Sequence, residues 1–154
     1  MARRLRARLP APVTIWTAGA DRDRAGLTVS STLVADGEPG RLLGLLDPES
    51  ELWTAIEREG HFAVSLCADR QRADRFAGLL PAPGGLFAQE QWQQTPYGPV
   101  PADVGTWAGC RLDTARPYGW GMLVEATLLE ITLAEDELPL VHLRGRYHDL
   151  AERG

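Results

Sequence analysis

This sequence of 154 residues contains no lysine and no asparagine, and all 16 of its basic residues are arginines. Without lysine there is no Walker A phosphate loop and no Schiff base to pyridoxal phosphate. Without asparagine there is no N-linked glycosylation site. Cysteine is scarce as well. Cys67 and Cys110 lie far apart in apolar stretches and lack the C-x-x-C spacing of zinc and redox motifs, so we expect two buried free thiols.

Long apolar runs are also absent, since none approaches the roughly 20 residues that a membrane-spanning helix needs. Residues 1–10 form a basic arm that lacks the apolar centre of a secretory signal, and we expect a cytoplasmic protein. The arm holds Arg3, Arg4, Arg6 and Arg8, which leaves 12 basic (16 minus 4) against 21 acidic residues elsewhere. An acidic surface disfavours nucleic acid as a partner. The arm is either a solvated terminus or a contact to a second subunit.

The length suits one domain, which we place at residues 11–150. Patterns of β-branched, aromatic and aliphatic residues predict strands, with turn residues between them. The predicted strands are residues 13–18, 26–32, 41–46, 61–66, 108–115, 122–133 and 140–147. Six or seven short strands without regular βαβ alternation favour an antiparallel barrel over a doubly wound sheet.

Two helices interrupt the predicted strands. Asp47 or Ser50 can cap the first helix, which ends at Gly60, and the second covers residues 68–77. Residues 79–106 are rich in proline and glycine, so we expect an irregular loop with one helical turn near residues 87–92. The predicted fold is therefore mainly β with short helices.

Several motifs follow one another in a characteristic order along this chain. Thr28-Val29-Ser30-Ser31 closes the second strand, Gly60-His61-Phe62 opens the fourth, and Arg75-Phe76-Ala77-Gly78 ends the second helix. From residue 12 to residue 150 this order resembles the flavin reductase-like family. The resemblance implies a split β-barrel that dimerises and holds FMN between its subunits, with NADH or NADPH as the reductant. It also allows a monooxygenase as a partner.

The chemistry of FMN explains why hydroxyl-bearing residues are the candidates for its site. FMN carries a phosphate, a polyol and a flat apolar ring, so it needs hydroxyl groups, free backbone amides and an apolar wall. The resemblance places these at Thr28, Val29, Ser30, Ser31, Leu46, Asp47, Ser50, Arg75 and Phe76. Helix capping alone also explains Ser50, a solvated helix face also explains Arg75, and a core position is the favoured interpretation of Phe76.

Thr28 and Ser30 share one face of a strand, whereas Ser31 lies on the other. A twist or a bulge is therefore needed to bring all three hydroxyls to one ligand.

Two departures from the family pattern weaken the resemblance. Many relatives have a Ser-Arg-Thr-like phosphate clamp where this chain has Ser50-Glu51-Leu52, and a carboxylate near a phosphate is unfavourable unless it turns to solvent. Relatives that use NADH commonly have Gly-Asp-His where this chain has Gly119-Trp120-Gly121. These differences keep a second hypothesis open, in which the barrel binds a flavin or another flat ligand without turnover, or serves as a partner subunit. A deazaflavin or haem ligand also stays open.

Histidine is rare, and its three occurrences suggest different roles. His61 and His142 lie in predicted strands and are expected to be structural or to face solvent. His148, in the closing motif, is the candidate catalytic residue beside the nicotinamide. No spacing of His, Asp and Glu is typical of a metal site, so we predict no metal.

Overall fold

The computed structural model describes residues 1–150. Within them lie three α-helices, α1 (Ala2–Ala7), α2 (Glu51–Glu59) and α3 (Arg70–Phe76), and a 3-10 helix at Asp21–Asp23. The strands are β1 (Ala11–Pro12), β2 (Thr14–Ala18), β3 (Ala25–Val29), β4 (Leu33–Ala35), β5 (Arg41–Leu46), β6 (His61–Leu66), β7 (Trp92–Gln94), β8 (Pro99–Pro101), β9 (Trp107–Tyr118), β10 (Gly121–Thr132), β11 (Val141–Leu143) and β12 (Arg146–His148). In this part of the chain no helix is long and apolar enough to cross a membrane.

Most strands belong to one antiparallel sheet of seven, in the order β3-β2-β6-β9-β10-β5-β4. Its centre is the long hairpin of β9 and β10, in which the register shifts between Glu125 and Ala126 and again between Leu128 and Glu130. Such bulges increase the local twist of a sheet and help it to curl. The mainly β prediction with short helices is therefore confirmed.

The sheet curls until two strands from opposite sides of it meet. β3 lies at one edge and β5 lies next to the other edge, yet Ser31, just after β3, exchanges two hydrogen bonds with the backbone of Leu45 in β5. The main core lies inside this curve, where the buried rings of Trp16 and Phe62 stack with centroids 4.7 Å apart. The curled sheet is a barrel closed by side-chain contacts at the seam between β3 and β5.

Helix α2 packs on the core as its sequence predicts. The Ser50 hydroxyl accepts a hydrogen bond from the Trp53 backbone at the first turn, and Gly60 ends the helix with a left-handed φ of 74°. Leu52, Trp53, Ala55 and Ile56 are buried on one face. Of the two predicted caps, Asp47 and Ser50, the structure has Ser50, and the predicted end of the helix at Gly60 is confirmed.

The structure corrects five details of the predicted strand and helix pattern. Residues 2–7 form a short exposed helix. β4 is an additional strand, which at three residues is too short to be predicted from the sequence pattern. The loop 79–106 contains the β7–β8 hairpin, and turns rather than a helix cover residues 86–89. The predicted last strand is a hairpin, because Arg144 and Gly145 adopt φ values of 53° and 76° that reverse the chain.

Both cysteines are buried free thiols, as predicted. Burial raises the pKa of the Cys110 thiol to about 12 and also raises the pKa of Cys67. Because the thiolate is the reactive form, both side chains are chemically quiet at neutral pH.

Candidate functional site

The ends of β3 and β5 and the start of α2 meet at one place, which we call the β3–β5–α2 junction. It comprises Ser30 and Ser31 after β3, Leu46 and Asp47 at the end of β5, and Ser50 before α2. The Ser31 Oγ accepts a hydrogen bond from the Leu45 amide at 2.8 Å and donates one to the Leu45 carbonyl at 3.0 Å. The fold thus brings together five of the nine residues predicted to bind the cofactor.

The start of α2 gives the junction its electrostatic character. The Ser50 hydroxyl donates to the Asp47 carbonyl at 2.8 Å and accepts from the Trp53 amide at 3.1 Å, while the Asp47 carboxylate accepts from the Glu49 amide at 2.9 Å. The first amides of a helix lack intrahelical partners and carry a partial positive charge. The start of α2 is therefore the part of the junction best suited to an anionic group.

Residues 28 and 29 hold the strand that leads into the junction. The Thr28 hydroxyl donates to the Ala73 carbonyl of α3 at 2.6 Å, and the Val29 side chain is buried. Thr32, which the sequence did not single out, shares a 2.8 Å hydrogen bond with Thr14 and accepts one from the Trp16 indole at 2.9 Å. The segment from Thr28 to Thr32 is therefore tied to both α3 and the core.

Arg75 and Phe76 lie on α3 with partners of their own. The Arg75 guanidinium donates to Glu90 at 2.7 Å, and its buried Nε has no hydrogen-bond partner in the described residues. The Phe76 ring is 1% exposed and packs against Phe87 and Trp92. The core interpretation of Phe76 matches this packing, and a contact from Arg75 to a phosphate stays a prediction.

A buried ion-pair network joins α3 to the long loop 79–106. Arg72 binds Glu90 through two hydrogen bonds of 2.8 Å and binds Asp103 at 2.9 Å, while Arg75 binds the same Glu90. Burial by itself would lower the pKa of Arg72, but the hydrogen bonds and charges of Glu90, with the charge of Asp103, raise it further than burial lowers it. Arg72 is thus a fixed cation that anchors the loop.

His148 lies on a different sheet from the β3–β5–α2 junction, whereas Trp120 lies on the hairpin tip next to it, where Met122 of β10 pairs with Leu46 at the end of β5. His148 is exposed on β12 of a separate three-stranded sheet, opposite Val141, so its contact with nicotinamide stays a prediction. Trp120, at the tip of the β9–β10 hairpin, is 97% exposed. Within residues 1–150 no group of three or more His, Cys, Asp or Glu side chains is placed to hold a metal ion.

Two arginines near α2 were missed by the sequence reading. Arg22 and Arg24 belong to an alternating Asp-Arg-Asp-Arg run that suggested only a polar turn. In the structure they face a cleft shared with Glu51, the first residue of α2, and with Phe87 of the long loop. The cleft forms between segments that are distant along the chain, so no local pattern could have found it.

The junction fits the phosphate and sugar of a flavin mononucleotide when its donors are counted. Ser31 and Ser50 already donate to backbone carbonyls, so their hydroxyls offer lone pairs to a polyol rather than protons to a phosphate. The exposed Ser30 hydroxyl and the first amides of α2 remain as donors. Glu51 is exposed and Leu52 is buried, so the carboxylate that replaces the family's arginine turns to solvent. The junction therefore offers hydroxyl and amide groups that suit a phosphate and a polyol, but no arginine at the position of Glu51.

Comparison with known proteins matches residues 6–151 to the flavin reductase like domain. The FMN reductase (NADH) RutF of Variovorax paradoxus is 29% identical over 148 residues, covering 94% of this chain and 82% of that protein. HsaB, the reductase subunit of a flavin-dependent monooxygenase of Rhodococcus jostii, is 30% identical over 139 residues, covering 88% and 69%. The crystal structure of a flavin reductase domain protein from Arthrobacter sp. FB24 superposes with a TM-score of 0.85 at 24% identity, covering 99% and 96% of the two chains. The predicted split-barrel fold is confirmed.

Proposed function

This chain belongs to the flavin reductase-like family, and we propose that it is an NAD(P)H-dependent flavin reductase that binds FMN at the β3–β5–α2 junction. One observation carries the assignment to this place. The match to the family covers the three segments that the Ser31 and Leu45 hydrogen bonds and the Ser50 cap bring together. Five of the nine residues proposed to bind the cofactor thus lie together where hydroxyl groups and free backbone amides are available.

The chain's own residues orient the ligand rather than carry out the redox chemistry. When bound, FMN supplies the ring that accepts a hydride from the nicotinamide. The backbone at Leu46 and Asp47 meets the ring edge, because the pairing of β5 with β10 ends at Leu46. The Asp47 carbonyl already accepts hydrogen bonds from Ser50, so the Asp47 amide is the backbone group that faces the ring. Ser30 and the first turn of α2 donate to the phosphate, and Ser31 and Ser50 accept from the polyol.

Absorbance spectra of the purified protein test this function directly. We expect FMN to bind with its bands at about 370 and 450 nm, and we expect both bands to bleach when NADH or NADPH is added without oxygen. Bands that persist with either nucleotide would contradict the reductase and leave a flavin-binding protein. If excess FMN does not co-elute with the protein on gel filtration, the FMN site itself is wrong.

Removing two hydroxyls of the β3 segment should weaken FMN binding. We expect the double variant Thr28→Ala, Ser31→Ala to bind FMN at least about tenfold more weakly, because the strand end loses its ties to α3 and to Leu45 as well as an acceptor for the polyol. Titration of flavin fluorescence measures the dissociation constant. Thr54→Ala removes an exposed hydroxyl on α2 and serves as the matched control, with unchanged affinity expected. Equal affinities in both variants would remove these two residues from the site.

A homodimer is part of the same proposal. Leu33 and Val34 are exposed apolar side chains on β4, and β4 is an edge strand with one unpaired side. Exposed apolar edges favour association with another copy of the same chain. Analytical ultracentrifugation should give a mass twice the 16.9 kDa of one chain, and the Val34→Glu variant should give a mass closer to that of the monomer. A monomeric wild-type protein at micromolar concentration would overturn this part.

We further propose that reduced flavin leaves this protein for a separate oxygenase. The support is the similarity to HsaB, which is named as the reductase subunit of a flavin-dependent monooxygenase. A steady-state assay with free FMN in excess tests release. Turnover far above one flavin per subunit is expected, and a single turnover would contradict it.

A further inference from the structure

A cleft of about 620 Å³ lies beside the β3–β5–α2 junction, and the function proposed above leaves it unused. It opens between the 3-10 helix at Asp21–Asp23, the first turn of α2 and residues 84–88 of the long loop. Its side chains are of three kinds: two arginines, two carboxylates and three apolar groups. They are Arg22, Arg24, Asp21, Glu51, Leu86, Phe87 and Ala88. A volume of this size is typical of a small-molecule site.

The two arginines have unused hydrogen-bonding capacity. The ion pairs of residues 1–150 engage Arg41, Arg58, Arg70, Arg72, Arg75, Arg111 and Arg116, and neither arginine of the cleft. Arg24 donates its Nε to the Asp21 carbonyl at 3.0 Å, which leaves its terminal nitrogens for a ligand. Its guanidinium carbon lies 4.7 Å from the centre of the Phe87 ring. Arg24 is therefore held in place by its turn and by a cation–π contact.

The mixture of charges selects the class of ligand. Two cations and two carboxylates cancel, so a bare anion gains little from entering the cleft. A nucleotide offers both complements, since its phosphate accepts hydrogen bonds from guanidinium groups and its ribose hydroxyls donate to carboxylates. Leu86 and the Phe87 ring, over which the Arg24 guanidinium lies, supply apolar surface for the base. The lining matches the parts of a nucleoside phosphate better than those of inorganic phosphate.

The position of the cleft indicates which molecule would bring that nucleotide. Glu51 lines the cleft and directly follows Ser50 of the junction, so one extended ligand can occupy both places. We propose that the cleft binds the adenylate half of an adenine dinucleotide. This inference rests on the proposed function, which supplies two such ligands, the pyridine nucleotide and FAD used in place of FMN. Both carry the same adenosine phosphate, and the experiment separates them.

The test replaces both cleft arginines in Arg22→Gln, Arg24→Gln and removes the same charge elsewhere in Arg3→Gln, Arg4→Gln on the exposed helix α1. Calorimetric titration with ADP is measured on each full-length protein without any flavin. We expect ADP to bind the wild type and the α1 control equally, and the cleft variant at least tenfold more weakly. FMN affinity should be the same in all three, because FMN has no adenylate.

Two further measurements show whether the adenylate in the cleft belongs to FAD or to the pyridine nucleotide. If the cleft variant loses FAD affinity relative to FMN, the adenylate of FAD occupies the cleft. If instead its KM for NADH rises at least tenfold with kcat unchanged, the pyridine nucleotide occupies it. Either result supports the proposal, and ADP that fails to bind the wild type, or binds all three proteins equally, overturns it.

The controls keep this test independent of folding and of the proposed function. Should the double variant lose its native circular dichroism, Arg22→Gln alone gives the answer, because Arg22 is exposed and makes no ion pair in the described part of the chain. ADP binding without NADH oxidation would refute the reductase while keeping the cleft. If the protein does not bind ADP and the cleft variant oxidises NADH like the wild type, the adenylate site is refuted and the reductase is kept.

Discussion

Glu90→Gln should lower the free energy of unfolding by about 3 kcal/mol, because one carboxylate balances two buried arginines. Arg72 and Arg75 have side chains only 3% and 9% exposed, and both donate to Glu90 at 2.7 to 2.8 Å. The neutral amide leaves Arg75 without a compensating charge and brings an N–H group against the guanidinium of Arg72. The value lies at the low end of the range for a broken buried pair because Glu90 itself is 20% exposed.

Asp103→Asn is the matched control, since Asp103 pairs with the same Arg72 but is 71% exposed. We expect it to cost less than about 1 kcal/mol, as exposed ion pairs do. Urea unfolding followed by tryptophan fluorescence measures both variants. Equal effects of the two substitutions would show that solvent screens the whole network, and the anchoring role of Glu90 would then be wrong.

The network also links stability to the cleft described above. Glu90 follows closely after Leu86 and Phe87, and its ion pairs fix that part of the loop to α3. Glu90→Gln should therefore weaken ADP binding as well as lower stability. Asp103→Asn should leave ADP binding as it is in the wild type.

Local patterns predicted the strands and helices whose side chains repeat regularly. The strands 41–46 and 61–66 were placed to the residue, because each is a run of apolar residues bounded by turns or a helix. Helix α2 was placed by its cap and its terminal glycine. The strands β4, β7 and β8 were missed, because three residues carry no periodicity and such strands form only where a partner strand is present.

The candidate site was predictable in part, for a similar reason. The motif order located the hydroxyl-bearing segments. It did not show that the Ser31 and Ser50 hydroxyls donate hydrogen bonds to backbone carbonyls. The pairing of Arg75 with Glu90 was also hidden, since the two residues meet only through tertiary packing. Arg24 and Phe87 are far apart in sequence and come into contact only when the loop folds over the 3-10 helix. Contacts of this kind require the three-dimensional structure.

Trp16→Ala should have the largest effect on stability, a loss of about 3 to 5 kcal/mol, the usual cost of truncating a buried aromatic side chain. Trp16 is fully buried and stacks on Phe62. It also fits against Gly44, where an added Cβ would lie 2.6 Å from the indole ring. Gly44 of β5 thus leaves room for this ring, and because glycine has no side chain, it cannot fill the cavity left by the truncation.

Trp16 also connects the core to the proposed flavin site, so its substitution should affect binding. The indole N–H donates to Thr32, which follows Ser30 and Ser31 in the segment at the junction. Trp16→Phe keeps a ring in the core but removes that donor, and we expect a smaller loss of stability with FMN affinity reduced several-fold. Thr32→Val removes the acceptor instead and should reproduce the loss of affinity. If Trp16→Phe binds FMN like the wild type while Trp16→Ala is destabilised, the indole fills the core without positioning the segment that binds the flavin.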